Sequence, residues 1–199
     1  MTCRLLLLLA ATGPWPTGGF AQEPPMPKAG SDAGRDSGVL EVVLKDLLTW
    51  PDSPLEFPRA TEKRLLFSPE ALTDPLEVSD ILDRLDRKKR AKPPRTQREL
   101  VREAAEDLVR RREVKHSFRD LRPKDPRIVI GDEGRADMKR GRVGPQVFRA
   151  YAPGYSRDRR LAVVRLTYPW SIHEGEGTYV LAKKGGEWIV LSRYFHIYP

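Results

Sequence analysis

The segment Arg160–Pro199 reads RLAVVRLTYPWSIHEGEGTYVLAKKGGEWIVLSRYFHIYP and carries the clearest pattern in the chain. Three runs rich in β-branched and aromatic residues are separated by a long polar loop at 168–178 and by Gly185-Gly186. Alternation of apolar and polar residues predicts strands with one buried face. The Gly pair favours a tight hairpin because glycine adopts positive φ without steric cost. The predicted inward-facing residues are Ala162, Val164, Leu166 and Tyr168 in the first strand, and Ile189, Leu191, Phe195 and Ile197 in the last.

Upstream of this module, apolar residues recur with the period of an amphipathic helix. Three such faces occur before residue 120, and short apolar runs at 63–67, 128–130 and 147–151 are further strand candidates. The helical faces are Leu40, Val43, Leu44 and Leu47, then Val78, Ile81, Leu82 and Leu85, then Leu100, Val101, Ala104, Ala105 and Leu108. We expect order to begin at Val39.

The third helix has the most local signals. Thr96 and Glu99 have the spacing of a capping box, which predicts the start of the helix at this point. The face opposite the apolar stripe is predicted to carry two i,i+4 ion pairs, Glu106–Arg110 and Asp107–Arg111.

The order of elements predicts an α+β fold, because helices come first and consecutive strands follow with short connections. We expect N-terminal helices packed on one face of a C-terminal antiparallel β-sheet, a meander of 4–5 strands. A single domain would span 39–199, with 39–120 mainly helical and 127–199 mainly β. A parallel sheet is disfavoured since no helix-length segment separates the later strands.

The N-terminus has the features of an export signal. Arg4 precedes the apolar run Leu5–Ala11, and small residues follow, so 1–21 is predicted to be a signal peptide. Residues 22–38 are rich in Pro, Gly, Ser and Asp and are predicted to form a disordered linker. The expected location is secreted or periplasmic, with no transmembrane segment after cleavage. The single cysteine, Cys3, lies in the signal, so we expect no disulfide or thiol chemistry in the mature chain.

The polar loop concentrates the candidate functional residues. We predict a ligand site formed by Tyr168, Trp170, Ser171, His173 and Glu174, in a pocket between the third helix and a concave sheet. A hydrolase using Ser171 and His173 is an alternative, and so is a metal site. The metal site would use His173 with Glu174 or Glu176, with His196 as a further ligand. Neither alternative has the orienting groups or ligand spacing it needs, so no catalytic residue, metal or cofactor is predicted.

The net charge of +8 concentrates in Arg84–Arg127, where 17 Lys and Arg stand against eight Asp and Glu. This region predicts binding to an anionic surface or partner protein. Nucleic acid is disfavoured because Phe118 is the single aromatic residue of that span and stacking platforms need more.

The ending Gly175–Val190, GEGTYVLAKKGGEWIV, resembles the final hairpin of small exported bacterial α+β proteins. It is also similar to the last strands of nuclear-transport-factor-like (cone-shaped) domains. That resemblance implies a curved sheet closed over a helix-lined pocket. Our leading prediction is a non-enzymatic ligand- or partner-binding domain. The alternatives are a hydrolase or metal-dependent enzyme using the loop, and a basic surface that binds an anionic polymer or membrane.

Overall fold

A computed structural model describes residues 33–49, 65–87, 97–131, 147–170 and 173–197. Within these ranges, three helices surround a seven-stranded sheet. The helices are α1 (Ala33–Thr49), α2 (Val78–Arg87) and α3 (Arg98–Arg111). The strands are β1 (Leu65–Phe67), β2 (Ile128–Ile130), β3 (Val147–Ala150), β4 (Gly154–Tyr155), β5 (Leu161–Trp170), β6 (His173–Lys184) and β7 (Glu187–Ile197). The α+β prediction is therefore confirmed.

The sheet is mixed, in the order β2-β1-β3-β5-β6-β7, with β4 paired to β5. β1 runs parallel to both β2 and β3, and the remaining pairs are antiparallel. The expected purely antiparallel meander of 4–5 strands is thus wrong. Parallel neighbours need a long crossover, and the chain between β1 and β2 supplies one that contains α2 and α3. The short strand at 65–67 lies before these two helices in the sequence. The prediction was based on helices that come first and strands that follow, and it therefore missed the crossover.

The three long strands β5, β6 and β7 form the predicted terminal module. Gly185 and Gly186 link β6 to β7 with φ of +60° and +93°, which confirms the hairpin. The segment 168–178 was expected to be a long loop, but most of it belongs to β5 and β6. Trp170 pairs with His173, so the two strands continue almost to the tip and only positions 171–172 separate them. Backbone hydrogen bonds of the β5–β6 ladder therefore hold most of this segment.

Both faces of β5 are buried, because helices lie on both sides of the sheet. Residues Leu161–Leu166 are buried without a break, a pattern typical of a strand covered on both faces. The first face packs with α1 in one hydrophobic cluster, which we call the α1 side. The second face packs with α2 and α3 in another cluster, the α3 side. The expectation that all helices cover one face is wrong, since α1 packs opposite to α2 and α3.

The alternation in β7 changes along the strand. Ile189 and Leu191 are 40% and 39% exposed, whereas the intervening Val190 packs on the α1-side cluster. A bulge opposite Val180 and Leu181 adds one residue to β7 and reverses the faces beyond it. Phe195 therefore packs inward as predicted, while Ile189 and Leu191 were assigned to the wrong face. The side chain of Ile197 lies outside the described residues.

The helix boundaries differ from the prediction at two places. α1 begins at Ala33, so residues 33–38 of the expected linker are helical and order starts before Val39. The rest of that linker and the predicted signal peptide lie outside the described residues, as does Thr96 of the expected capping box. α3 starts after Gln97, which makes no side-chain capping bond. None of the helices in the described ranges combines the length and the apolar character that a membrane crossing needs.

Candidate functional site

Tyr168 of the predicted ligand site lies in the core. Its side chain is buried on the α1 side, with ring centroids 6.1 Å from Phe148 and 5.8 Å from Phe195. Gly175 lies opposite it in β6, where a Cβ atom would overlap the tyrosine ring. α3 packs on the other face of the sheet, so the structure does not bring the third helix and Tyr168 together in one pocket.

Burial raises the pKa of the Tyr168 hydroxyl to about 12, with a smaller contribution from the charge of Glu176. Among the described residues this hydroxyl has no hydrogen-bond partner. The phenol is therefore neutral at physiological pH and contributes mainly its packed ring.

The other predicted site residues are placed only through the backbone. The β5–β6 register sets Trp170 opposite His173 and Pro169 opposite Glu174. Ser171 and the side chains of Trp170, His173 and Glu174 lie outside the described parts of the chain. The ligand site at this tip therefore stays a prediction.

A charged cluster that the sequence did not predict lies on the α3 side. The guanidinium of Arg165 is 1% exposed, donates to Thr178 Oγ1 at 2.7 Å and forms an ion pair with Glu176. The ladder places Glu176 opposite His196 and Thr178 opposite Tyr194. A buried arginine is stable only when its charge is paired and hydrogen-bonded, so this cluster fixes the centre of β5 to β6. The sequence signal was the arginine between Val164 and Leu166, which a one-faced strand would place in solvent.

A second buried cluster joins α1, α3 and β4. Arg111 donates to both carboxylate oxygens of Asp36, at 3.0 and 2.8 Å, and also to the carbonyl of Pro153. The hydroxyl of Tyr155 donates to the same carboxylate at 2.9 Å. The expected surface pair Asp107–Arg111 is wrong, because Arg111 points inward and Asp107 pairs with Arg110 instead.

Burial dominates the ionisation of this second cluster. Desolvation raises the pKa of Asp36 above its usual value even though Arg111 and Tyr155 oppose the shift. Desolvation and then the Asp36 charge raise the pKa of Tyr155 far above the ordinary tyrosine value. Gly154 lets β4 approach α3, since a Cβ there would overlap the backbone of Ala104 and Leu108. The contacts of this cluster hold α1, α3 and β4 together.

A third polar contact fixes β7 to α1. Asp46 accepts hydrogen bonds from Arg193 at 2.9 Å and from the Tyr179 hydroxyl at 3.2 Å. Desolvation, followed by the charge of Asp46, raises the pKa of Tyr179 well above its ordinary value. The α1-side face of β7 is thereby supported by the helix.

In the described part of the chain, β7 combines an edge that no described strand pairs with and exposed apolar side chains. β7 is the last strand in the sheet order, and among the described residues no strand pairs with its outer edge. Three large hydrophobic residues are exposed in the described ranges, and two of them, Ile189 and Leu191, lie in this strand. We call the open edge of β7 together with Ile189 and Leu191 the edge surface.

In its described part, the basic region Arg84–Arg127 contains a buried arginine and arginines in surface ion pairs. Arg111 is buried, Arg119 pairs with Glu70 at 3.2 Å, and Arg127 pairs with Asp125 at 2.6 Å. The anionic partner expected for this region stays a prediction. Groups of three or more His, Cys, Asp or Glu able to hold a metal do not occur among the described side chains.

Neither a scan against protein-family models nor searches of the curated proteins and of the solved structures find a match for this chain. The likeness to nuclear-transport-factor-like domains therefore stays a prediction.

Proposed function

We propose that the protein is an exported, non-enzymatic domain that binds a partner polypeptide by adding a strand to β7. The observation that carries this proposal is the edge surface. It consists of an 11-residue edge strand on which Ile189 and Leu191 are both exposed.

An edge strand presents a row of backbone N–H and C=O groups that another extended chain can pair with. In strand addition these main-chain bonds give affinity, while alternate side chains of the incoming segment contact exposed residues of the sheet. Ile189 and Leu191 offer two apolar contacts of this kind. Because both side chains are exposed, they lose water-accessible apolar surface when a chain lies beside them, and this burial favours binding.

Proteins usually protect a long edge with lysines, prolines or inward-pointing charges. Residues 187–197 contain no Pro or Lys, and the one strong cation, Arg193, is held by Asp46 of α1. The bulge is a protective device in many sheets. Here the extra residue of the bulge is Leu191, and it is exposed like Ile189, so the bulge does not remove the apolar side chains from the edge surface.

The proposal is tested by selecting displayed 12-residue peptides on the immobilised protein. We expect the selected peptides to alternate apolar and polar residues. Their affinity should fall at least about tenfold in the double variant Ile189→Lys/Leu191→Lys, since charges on this surface would be desolvated by the incoming strand.

Val114→Lys is the matched control, because Val114 is 53% exposed and lies outside the sheet. It should bind the selected peptides like the parent protein. Circular dichroism must show the same folded fraction for all three proteins. Failure to select any alternating peptide, or equal binding by the double variant, would overturn the proposal.

A further inference from the structure

Five exposed basic side chains lie at the end of the sheet where β6 turns into β7. Three of them occupy the turn between β4 and β5, and two end β6. The amide of Lys183 donates to the carbonyl of Arg160 at 2.8 Å, so the two segments are neighbours. We call this the basic end. Its members are Arg157, Arg159, Arg160, Lys183 and Lys184.

The turn that carries the three arginines has a fixed conformation. The Ser156 hydroxyl bonds to Asp158 at 2.7 Å and accepts from the amide of Leu161 at 3.0 Å. Arg159 has a φ of +57°. Non-glycine residues rarely adopt such a conformation, and the surrounding turn must impose it. The arginines are therefore presented at defined positions rather than on a loose loop.

The basic end keeps an excess of positive charge after its own ion pairs are considered. Arg157 lies 3.9 Å from Glu103, and Arg160 lies 4.0 Å from Asp158, with both guanidinium groups at least 80% exposed. Among the described residues a third carboxylate, Glu187, lies across the hairpin from Lys184. Pairs this long and this exposed contribute little, so an incoming anion would find basic side chains available there.

The position of the basic end at one end of β7 determines which end of an added segment would lie beside it. Lys184 pairs with Glu187, the first residue of β7, so the basic end lies at the N-terminal end of the edge strand. A segment added antiparallel to β7 brings its own C-terminal end to that place. A segment added in parallel brings its N-terminal end there instead.

We infer that the partner segment pairs antiparallel with β7 and carries acidic residues at its C-terminal end, beside the basic end. This inference rests on the proposed strand addition and specifies the chemistry and direction of its partner. Antiparallel pairing is slightly more stable per residue than parallel pairing. In an antiparallel segment, acidic residues at the C-terminal end would lie beside the basic end, and complementary charges at an interface fix the register.

The test compares two labelled ten-residue peptides of identical composition, both acetylated and amidated. Each alternates Val and Thr over eight residues, with two Glu at the C-terminal end of one and at the N-terminal end of the other. In fluorescence polarisation at low salt, the C-terminal-acid peptide should bind about three- to tenfold more tightly. At about 1 M salt, where the Debye length is about 3 Å, the preference should largely vanish.

The variant Arg160→Gln/Lys183→Gln/Lys184→Gln should lose this preference and still bind the N-terminal-acid peptide as before. Equal affinity of both peptides, or a preference for the N-terminal-acid peptide, would overturn the inference. If the acidic end makes no such difference but Ile189→Lys/Leu191→Lys still abolishes peptide binding, then strand addition at β7 stands and the inference about charge and direction fails. If neither peptide binds, or if that double variant binds both like the parent, the proposed function is overturned as well.

Discussion

The two edges of the sheet differ in length, direction and support. β2 has three residues, runs parallel to β1 and presents the buried Ile128 at its start. β7 has 11 residues, runs antiparallel to β6 and exposes Ile189 and Leu191. A very short edge is one of the ways in which sheets avoid unwanted pairing. Within the described parts of the chain, we therefore call the short β2 the closed edge and the long β7, with its exposed apolar side chains, the open edge.

A polar contact with α1 also separates the two edges. Asp46 of α1 accepts hydrogen bonds from Arg193 of β7 and from Tyr179 of β6, whereas both edge strands contribute residues to the α1-side cluster. The start of α1 is held in turn by the hydrogen bonds that Asp36 accepts from Arg111 and Tyr155. An open edge on a rigid base is suited to binding because little order is lost when the partner arrives.

The largest loss of stability is expected for Asp36→Ala, which removes the contacts that hold the start of α1, the helix that supports β7. The change leaves the guanidinium of Arg111 buried without its carboxylate. Breaking a buried pair in this way costs about 3–5 kcal/mol, and urea unfolding should show this loss in the free energy of unfolding.

Glu103→Ala is the control for Asp36→Ala, because it breaks the ion pair with the exposed guanidinium of Arg157. It should cost less than about 1 kcal/mol, as surface pairs usually do. Equal losses in both variants would refute the assigned role of Asp36.

A matched pair of isoleucines compares the edges directly. Ile128 in β2 is 5% exposed, and Ile189 in β7 is 40% exposed. Ile128→Ala should lower the free energy of unfolding by about 2–4 kcal/mol, since it leaves a cavity in the core. Ile189→Ala should cost less than about 1 kcal/mol, because Ile189 is an exposed residue and its truncation leaves no enclosed cavity. The opposite order in thermal or urea unfolding would mean that the open and closed edges were assigned wrongly.

Asp46→Ala should loosen β7 selectively. It leaves the Tyr179 hydroxyl and Arg193 without this acceptor in a partly buried place. Lost bonds of this kind cost about 1–3 kcal/mol. Hydrogen exchange should accelerate at the amides of β7 and change little at β2. Uniform acceleration over both edges would argue that α1 does not support β7 in particular.

The smallest effect concerns the turn that precedes β2. Hydrogen bonds from the side chain and then the backbone of Arg127 lower the pKa of Asp125 from 3.8 to about 2. Because the folded-state value lies below the unfolded one, this contribution to stability is present above pH about 4 and is lost as the pH falls through about 2. NMR shifts of the Ile128 and Leu65 amides should titrate with a midpoint near pH 2.

Asp125→Asn should remove that titration and leave the amides of β7 unaffected. A midpoint near 3.8 in the parent protein would show that the Asp125–Arg127 contact does not persist in solution.

Local patterns predicted the helices and the terminal hairpin because they depend on neighbours in sequence. The stripe of Leu40, Val43, Leu44 and Leu47 lies buried in α1. The Gly185-Gly186 turn follows from backbone geometry alone. The parallel pairing of β1 was not predictable in this way. It depends on a three-residue strand meeting a partner that is distant in sequence, Leu65 with Ile128.

The errors in the site have the same origin. Nothing near Asp36 or Arg111 in the sequence shows that the two side chains meet, because 75 residues separate them. The burial of Arg165 was not predicted, because alternation alone cannot reveal a strand buried on both faces. The bulge in β7 displaced the predicted inward face by one residue, which hid the exposure of Ile189 and Leu191 until the register was known.

Hydrogen–deuterium exchange with and without a selected peptide tests the open edge most directly. Saturating peptide should slow exchange at amides within Glu187–Ile197 and leave the amides of Ile128–Ile130 unchanged. Tight binding with no added protection in β7, or protection confined to β2 or to the helices, would contradict strand addition at this edge.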